Sequence, residues 1–415
     1  MDMKNLLFAG IVLSFLISCN SQKNRILQSD VIGIESGLQN LTRLKTSDLG
    51  KTIRYIPLET IDEGLVGRDP VIKVLRNHIV VEAQRSCLLF DKKDGRFIAE
   101  IGHFGQDPTA FTGIFSWADD KEEFLYFSKA PNQLVKYDMK GNFCDNVEFS
   151  TQGLASYYVL TDTEIIGYFA SGMGEMKPYN IGFFDKSGIL NDSIQLLSRE
   201  QILPVNIVDI SVLKGKSSVN TWGIWAQSGG IVVNFKDDTR QIIAPNAARL
   251  WKNNGQIRFK EEFIDTVYTI SDHKLIPSIV FHTGKYHWPI HEITSKRNSN
   301  ERVFIADVSE NNTFVFFQCI KGMHSEEPVL YNGLHNKNTG ETKLGKYNDL
   351  IEDDLSNFIP FTPLGMSTVG EFVSLVEVWE IIEWLEKHPE ALNNERLSFL
   401  KGLDEEMNPI VILIE

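Results

Sequence analysis

Residues 88–97 read LLFDKKDGRF, and the same pattern returns as LVKYDMKGNF at residues 134–143 and as IGFFDKSGIL at residues 181–190. The shared aspartates Asp91, Asp138 and Asp185 are 47 residues apart in each case. Self-similarity at a fixed period of this length is typical of propellers, solenoids and arrays. The repeat therefore predicts the architecture of this chain more directly than any single residue.

Each copy predicts a β-hairpin, because an alternating apolar strand runs into an Asp, a few polar residues and a Gly before alternation resumes. Glycine accepts the positive φ that such a turn needs. One hairpin cannot bury its apolar face alone, and a closed ring of four-stranded blades leaves few strand edges exposed. Propeller blades run at about 40 to 50 residues, whereas leucine-rich repeats run at about 20 to 29. We therefore predict an all-β fold, a six-bladed β-propeller of four-stranded antiparallel blades.

The remaining strand signals are consistent with a propeller over residues 51–415, which are enough for six blades. A lone early strand, IRYIPLE at residues 53–59, is expected to complete the last blade. The other blades are predicted from these segments: residues 72–105, the two further copies of the repeat, an irregular fourth blade within residues 198–244, and hairpins at residues 266–281 and 313–344.

The last quarter departs from the repeat. Residues 378–385 place apolar side chains at helical spacing, and Pro389 forbids continuation of that helix. A second short helix is plausible through residues 395–402, so we predict a short C-terminal helical insertion at about residues 378–403. The final run, residues 409–414, is strand-like, and either it or IRYIPLE is expected to close the ring.

The amino terminus predicts export. An apolar run from Leu6 to Ile17 is too short to span a bilayer and indicates a signal peptide over residues 1–18. Its end, Leu16-Ile17-Ser18-Cys19, resembles a bacterial lipobox, which predicts Cys19 as the site of lipid attachment; the alternative is a plain secretory signal with an incidental cysteine. Residues 19–50 are assigned to a tether and leading segment. We expect a lipoprotein anchored in a membrane of a Gram-negative bacterium, facing the periplasm or exposed at the cell surface.

Composition narrows the possible partners. Hydrophobic residues make up 42% of the chain and charged residues 23%, as expected for a globular protein with a large core. The net charge of −14 argues against a nucleic-acid partner, because phosphate binding requires clustered Lys and Arg. The same negative charge would repel an anionic headgroup surface, so membrane attachment is expected to depend on the lipid at Cys19 alone.

Three further cysteines, Cys87, Cys144 and Cys319, lie in apolar strand-like contexts. We predict buried, inert thiols. No pair of them has the spacing of a zinc site.

Several segments resemble a known family. The chain resembles the Bacteroides-type six-bladed β-propeller lipoproteins, which are themselves similar to NHL-repeat propellers; the matching segments are residues 56–60, 101–108, 263–268, 347–355 and 404–409. The resemblance implies an extracytoplasmic propeller whose function is largely uncharacterised, and it implies no activity. The family loop that tends to run Gly-Pro-x-Glu lacks its acid here, where the chain reads Asp107-Pro108-Thr109-Ala110-Phe111, so no role of that acid is transferred.

The densest group of metal-ligand residue types is His282, His287 and His291. Pro289 breaks any helical relation between the last two, so a loop-borne metal site competes with an exposed or packing role. The Gly102-His103-Phe104-Gly105 loop lies between strands and is better interpreted as an inter-blade turn than as a phosphate cradle. The run from Glu352 to Asp354 lacks the ligand pattern of a calcium loop, and we expect a solvated acidic run that caps a short turn.

Three tryptophans are candidate ligand contacts: Trp222, Trp225 and Trp288. Exposed aromatic rings anchor partners, although aromatic side chains also fill the space between blades. A core role is the preferred interpretation for each of them, and an exposed ligand contact is the alternative.

The preferred functional prediction is a non-enzymatic, lipid-anchored binding or scaffold protein that presents loops to a glycan, peptide or protein partner. The alternative is a metal-dependent hydrolase or lyase with its metal in the central channel, which rests on analogy of fold. No cofactor is predicted apart from that metal. Two or three His, Asp or Glu side chains from different blades at the channel mouth would favour the enzyme, and an apolar and amide lining would argue against it.

Overall fold

The computed structural model describes residues 30–415 except residues 84, 114, 152, 170–179, 196–206, 214–229, 237–239, 244–249, 262–263, 290–291, 293–298, 324 and 326–327. The first described residues form a segment outside the repeat, which we call the N-terminal strap (residues 30–60). Its elements are β1 (Asp30–Gly33), α1 (Ile34–Gln39), α2 (Thr46–Leu49) and β2 (Ile53–Pro57).

Six antiparallel sheets follow around the ring as blades 1 to 6. Blade 1 contains β3 (Val71–Val74), β4 (His78–Ala83), β5 (Ser86–Asp91) and β6 (Phe97–Glu100); blade 2 contains β7 (Ser116–Ala118), β8 (Phe124–Lys129), β9 (Gln133–Asp138) and β10 (Phe143–Glu148); blade 3 contains β11 (Tyr157–Leu160), β12 (Glu164–Tyr168), β13 (Ile181–Asp185) and β14 (Leu190–Ile194). A separate three-stranded sheet comes next, with β15 (Ile207–Leu213), β16 (Gly230–Phe235) and β17 (Arg240–Ile243).

The second half of the chain supplies the other three blades. Blade 4 contains β18 (Leu250–Asn253), β19 (Gln256–Lys260), β20 (Thr266–Ser271) and β21 (Lys274–His282); blade 5 contains β22 (Val303–Glu310), β23 (Phe314–Lys321), β24 (Val329–Asn336) and β25 (Thr342–Lys346); blade 6 contains β26 (Gly365–Met366), β27 (Phe372–Val376), β28 (Ile410–Ile414) and the strap strand β2. Helix α3 (Val378–Lys387) lies between β27 and β28, with 3-10 turns at Asp62–Gly64, Gly284–Tyr286, Ser299–Glu301, Tyr347–Asp349, Pro389–Asn393 and Glu395–Leu400.

Six apolar clusters join these blades into a closed ring. Successive residues of a strand point to opposite faces of the sheet, so each blade contributes side chains to both of its neighbours. The clusters pair Val80 with Phe127, Leu134 with Phe184, Phe183 with Phe259, Phe281 with Phe317, Phe316 with Phe372, and Val411 with Phe90, in order from the junction of blades 1 and 2 to that of blades 6 and 1. The prediction of a six-bladed propeller is confirmed.

The position predicted for the fourth blade is wrong. Phe183 of blade 3 and Phe259 of blade 4 share one buried cluster, so blades 3 and 4 are in direct contact. The sheet β15 to β17 is therefore an insertion between two blades of the ring. Its strands have the local sequence character of a blade, but only tertiary packing decides which sheets enter the ring.

The repeat aspartates and glycines shape the turn between the third and fourth strands of a blade. The Asp185 carboxylate accepts hydrogen bonds from the backbone N–H groups of Ser187 and Ile189 at 2.9 and 3.1 Å, and Gly188 has a φ of +90°. A Cβ atom at Gly188 would lie 2.2 Å from the carbonyl oxygen of Glu148, on the outermost strand of blade 2. The repeat glycine is thus required both by its conformation and by contact with the preceding blade.

The N-terminal strap runs along the outer edge of the ring and closes it. Strand β1 adds to β21 of blade 4 in parallel orientation, and the Thr42 N–H donates to the Leu344 carbonyl of blade 5 at 2.7 Å. Strand β2 then pairs with β28 as the outermost strand of blade 6. The Glu59 N–H finally donates to the Gly95 carbonyl of blade 1 at 2.9 Å. IRYIPLE completes the last blade as predicted, although residues 30–50, assigned to the tether and leading segment, already pack on the ring.

Helix α3 accounts for the predicted C-terminal helical insertion. Its Ile381 side chain and Leu397, in the second 3-10 turn after the helix (Glu395–Leu400), are buried in the cluster between blades 5 and 6. The helix ends before Pro389, which starts the next turn. In the part of the chain that the structure describes, no helix combines the length and apolar character needed to span a bilayer.

One cysteine prediction is corrected. Cys87 and Cys319 are buried, and burial raises the pKa of both thiols. Cys144 is exposed, because it lies on β10, the outermost strand of blade 2, whose outer surface has no sheet packed on it.

Candidate functional site

The two faces of the ring differ sharply. Strand β11 contacts β7 and β18, the first strands of the two neighbouring blades, and β22 contacts β26 in the same way, so the first strand of each blade is the innermost. We call the face where these strands begin the loop face, and the opposite one the turn face. In the part of the chain that the structure describes, the long connections between blade strands at the loop face include residues 58–70, 101–115, 347–364 and 377–409. Binding residues concentrate on such loops when a rigid scaffold positions them.

Hydrogen bonds join neighbouring blades all the way around the turn face. They run from the Arg76 N–H to Glu122, from the Asp162 N–H to Asp120, from Lys252 Nζ to the Leu160 carbonyl, from Asn254 Nδ2 to Asn312 Oδ1, from Asn311 Nδ2 to the Gly370 carbonyl, and from the Thr368 N–H to the Val74 carbonyl. Every one of these groups lies in or beside the turn between the first two strands of a blade. The turn face is therefore held together around the whole ring, and the loop face is the one where connections differ in length from blade to blade.

A polar centre lies near the axis at the loop-face end of blades 1 and 2. Lys73 Nζ donates to both carboxylate oxygens of Glu82, at 2.8 and 3.0 Å, and to the Ser116 carbonyl at 2.7 Å. The backbone N–H and the hydroxyl of Ser116 donate to Glu82 Oε1 at 2.6 and 2.5 Å. Glu82 is 4% exposed, and a buried carboxylate is stable only when it is paired and hydrogen-bonded in this way.

Tyr157 of blade 3 reaches into the same region. Burial raises the pKa of its phenol to about 12, and the negative charges of Glu82 in blade 1 and Asp307 in blade 5 contribute to the same shift. Tyr157 begins β11, the innermost strand of blade 3, which contacts the first strands of blades 2 and 4. Its ring meets the Trp117 ring of blade 2 edge-on, with the centroids 6.1 Å apart. The side chain therefore lies on the inner part of the ring.

Blade 5 extends this polar region outward from the axis. Asp307, Gln318 and Asn332 are direct neighbours across β22, β23 and β24, and all three are buried. Gln318 Nε2 donates to Asn332 Oδ1 at 2.9 Å. The fully buried Ser374 of blade 6 lies on the face of β27 that packs against blade 5, and its hydroxyl finds no hydrogen-bond partner among the described residues. These polar side chains thus lie within an interface between blades that is otherwise apolar.

These residues were not identified from the sequence, because they are scattered between positions 73 and 374 and form no local motif. Glu82 and Asp307 are two buried carboxylates from different blades, whereas the enzyme alternative requires two or three such side chains to converge at the channel mouth. Glu82, however, is already held by Lys73 and Ser116. Among the described residues, no group of three or more His, Cys, Asp or Glu side chains is placed to hold a metal ion. The metal-dependent hydrolase or lyase stays a prediction.

The predicted histidine group does not form a cluster within the described residues. His282 and His287 are both exposed, and His287 Nδ1 lies 3.0 Å from the carboxylate of Asp265, which also accepts a hydrogen bond from the Thr283 hydroxyl. His291 lies outside the described residues. His287 is thus an Asp-paired surface residue at the loop-face end of blade 4.

Of the candidate tryptophans, Trp288 is 3% exposed, and its indole N–H donates to the Glu292 carbonyl at 3.2 Å. Trp288 is therefore a buried packing residue, which agrees with the core interpretation and not with the ligand-contact one. Trp222, Trp225 and the predicted lipid-bearing Cys19 lie outside the described residues.

Two loop interpretations are also resolved. Residues 101–115 connect blades 1 and 2, as the interpretation of an inter-blade turn has it. Within them His103 Nε2 lies 2.6 Å from the Asp107 carboxylate, whose pKa is held well below its usual range by hydrogen bonds from His103 and Thr109.

The Glu352–Asp354 run caps a turn as predicted, but it is not a solvated run: Asp353 is 4% exposed and accepts hydrogen bonds from Thr46 and Tyr55 of the strap. This contact was not predictable, because the partners are about 300 positions apart in the chain.

A closed ring of six four-stranded antiparallel blades defines a six-bladed β-propeller. Within that class, the chain belongs to the family described as Domain of unknown function (DUF4934), which it matches over residues 29–415. No curated protein matches the chain significantly.

Among solved structures, the chain is similar to a protein from Bacteroides fragilis NCTC 9343 that is described as exported, at 15% sequence identity and a TM-score of 0.59, with 92% of this chain and 98% of that chain covered. At this identity the likeness shows the fold alone. Two more distant structures are U3-55K, at 10% identity and a TM-score of 0.40 over 88% of this chain and 98% of that one, and BamB from Moraxella catarrhalis, at 11% identity and a TM-score of 0.32 over 80% and 75%. No argument rests on these two.

Proposed function

We propose that this protein is a non-enzymatic binding or scaffold protein that receives a glycan, peptide or protein partner on the loop face of its propeller. The single observation that supports the proposal is the asymmetry of the ring. One face is tied together by hydrogen bonds around all six blades, whereas the other carries the long connections above the polar axis formed by Lys73, Glu82, Ser116 and Tyr157. A rigid ring that presents loops above a polar axis suits the recognition of a partner.

The proposal includes the location of the protein. We propose that Cys19 carries the lipid that anchors the propeller, as in the NHL-like lipoproteins it resembles, and that the ring faces the periplasm or the cell surface. The exported relative from Bacteroides fragilis supports an extracytoplasmic site. Metabolic labelling with an alkyne fatty acid is expected to mark the wild-type chain and not Cys19→Ala, and protease treatment of intact cells distinguishes the two locations.

Binding is tested with the full chain, purified in detergent, on a glycan array and a peptide array. Each hit is then titrated against two variants. Tyr157→Phe removes one hydroxyl at the polar axis, whereas Asn338→Ala changes an exposed residue in a turn of the turn face. We expect Tyr157→Phe to weaken binding about fivefold, the worth of one hydrogen bond, and Asn338→Ala to leave it unchanged.

Two results would overturn the proposal. One is the absence of any hit on both arrays for a folded protein. The other is a ligand whose affinity is unaffected by Tyr157→Phe and is reduced by Asn338→Ala, because that would place recognition on the turn face.

A further inference from the structure

A cavity lies away from the axis, on the outer side of the junction between blades 5 and 6. It has a volume of about 390 Å³ and is lined by Arg43, Glu352, Asp353, Asn357, Phe358, Pro360, Trp384, His388, Glu390, Ala391 and Asn394. Three separate parts of the chain build its walls: the N-terminal strap, the connection from blade 5 to blade 6, and the helical insertion with α3. We call it the rim cavity. Its volume is at the small end of the range of about 300 to 1,000 Å³ for ligand pockets.

The backbone around the rim cavity is unsuited to an extended peptide. Its lining residues lie in loops, in α3 and in the 3-10 turns after it, apart from the single bridge of Glu352 to Lys45. Recognition of an extended peptide by strand addition needs an open strand edge, and none of the lining residues belongs to a strand. The geometry favours a small ligand held by side chains.

Aromatic rings form one wall. Trp384 and His388 stack with their centroids 4.3 Å apart and their planes 13° from parallel, and the Phe358 ring meets Trp384 edge-on at 5.2 Å. His388 Nδ1 lies 2.9 Å from the Trp384 carbonyl, which can only accept, so Nδ1 carries the proton and Nε2 of the neutral ring is an acceptor. This wall is held in place because Trp384 lies in the last turn of α3 and His388, directly after the helix, donates its backbone N–H to the Trp384 carbonyl at 3.1 Å.

The polar groups around this wall are mixed in charge. Arg43, Asn357 and Glu390 are exposed, and within the described ranges their side chains have no hydrogen-bond or ion-pair partner. Asp353, in contrast, is already saturated by donors from the strap and its own turn, and Glu352 lies 3.6 Å from Lys45. The groups free to bind a ligand are therefore one cation, one anion, one amide and one imidazole acceptor.

We infer that the rim cavity binds a mono- or disaccharide. Sugar hydroxyls both donate and accept, so they satisfy the Arg43 donors, the Glu390 acceptor and the Asn357 amide together, and the apolar face of a sugar ring packs on the aromatic wall. A ligand with a single net charge would leave either Arg43 or Glu390 uncompensated. The inference rests on the proposed binding function and adds a second site with its own ligand class.

The test is calorimetric titration of the full chain with a panel of neutral and N-acetylated mono- and disaccharides, together with the thermal shift that each produces. Arg43→Ala and Glu390→Gln remove the two charged contacts. The matched controls are Arg68→Ala and Glu386→Gln, which change exposed residues of the same types outside the lining. We expect a saccharide that raises the melting temperature of the wild type, with about tenfold weaker binding in both test variants and unchanged binding in both controls.

The outcomes separate this inference from the proposed function. If no saccharide binds but an array ligand is found that depends on Tyr157, the rim cavity inference is wrong and the binding function stands. If a saccharide binds with a dependence on Tyr157→Phe and none on Arg43→Ala, the sugar belongs to the axis and the inference is again overturned. If nothing binds in either assay, both are wrong.

Discussion

Gly188 and Gly340 occupy equivalent turns of blades 3 and 5, with φ values of +90° and +73°. A Cβ atom at Gly188 would lie 2.2 Å from the Glu148 carbonyl oxygen of the preceding blade, whereas one at Gly340 would meet no atom within 4 Å. We expect Gly340→Ala to lower the free energy of unfolding by about 1 kcal/mol, the cost of a left-handed alanine. Gly188→Ala should cost about 3 kcal/mol, because the overlap with blade 2 adds to the strain.

Thermal unfolding of both variants measures the difference. Equal losses at the two glycines would mean that backbone conformation alone determines the repeat glycine, and that its contact with the preceding blade contributes nothing.

His273 makes the stability of the junction between blades 3 and 4 dependent on pH. Its two ring nitrogens lie 2.9 Å from Asp192 and 3.0 Å from Glu164, and its ring stacks on Phe183 at 4.0 Å. Only the imidazolium donates from both nitrogens. Although partial burial lowers the pKa of His273, the hydrogen bonds to Asp192 and Glu164 outweigh it and raise that pKa above 6.5.

A raised pKa in the folded state stabilises the protein at low pH. The contribution of His273 is fully present below about pH 6.5, the value for the unfolded chain, and is lost as the pH rises through the folded-state pKa. We expect the melting temperature of the wild type to exceed that of His273→Asn at pH 6 and to approach it above the raised pKa. Asparagine tolerates the φ of +54° at this position. His282→Asn, at an exposed histidine, is the control, and a pH-independent difference for His273→Asn would contradict the charged bridge.

At the scale of elements, the N-terminal strap contributes to stability through one face of β1. Ile32 is fully buried against blades 4 and 5, whereas its neighbour Val31 is 60% exposed. We expect Ile32→Ala to cost about 2 to 4 kcal/mol of unfolding free energy and Val31→Ala less than about 0.5 kcal/mol. Chemical denaturation followed by tryptophan fluorescence measures both. Similar small effects for the two variants would show that β1 is not part of the cooperative fold.

The hydrogen bonds from strap to ring strengthen this closure. Asp354 accepts from the backbone N–H and the hydroxyl of Ser47 at 2.9 and 2.7 Å. Burial opposes the charge of Asp354, but the hydrogen bonds from Ser47 and Thr46 outweigh it and lower the pKa of this carboxyl. A carboxyl whose pKa is lowered by folding stabilises the fold at pH values above its pKa in the unfolded chain. This stabilisation is lost as the pH falls through the pKa of the folded state, so the hydrogen bonds of Asp354 weaken only in acid.

At the scale of the whole molecule, the direct contact between blades 3 and 4 predicts that the inserted sheet is dispensable for the ring. We expect replacement of residues 195–249 by a Gly-Ser linker as long as the connection at residues 149–156 to leave a folded propeller. Removal of residues 250–282, which form blade 4, should prevent cooperative folding, because it leaves two blade interfaces open. Circular dichroism and thermal unfolding distinguish the two deletions. Loss of folding in the first would show that the sheet β15 to β17 is needed for the ring to form.

Local sequence patterns alone predicted the blade type from the repeat, the closing strand from IRYIPLE, and the helical insertion from the spacing of apolar residues at 378–385. These follow from local chemistry: Asp91, Asp138 and Asp185 cap their turns, the glycines after them adopt positive φ, and strand alternation buries both faces of a blade. Tertiary structure alone decided which sheets enter the ring, that Cys144 is exposed and Trp288 buried, and where the polar axis and the rim cavity lie. Glu82, Tyr157 and Asp307 come from three blades, and Arg43 and Glu390 from opposite ends of the chain. No local pattern encodes such contacts, because they exist only once packing has closed the ring.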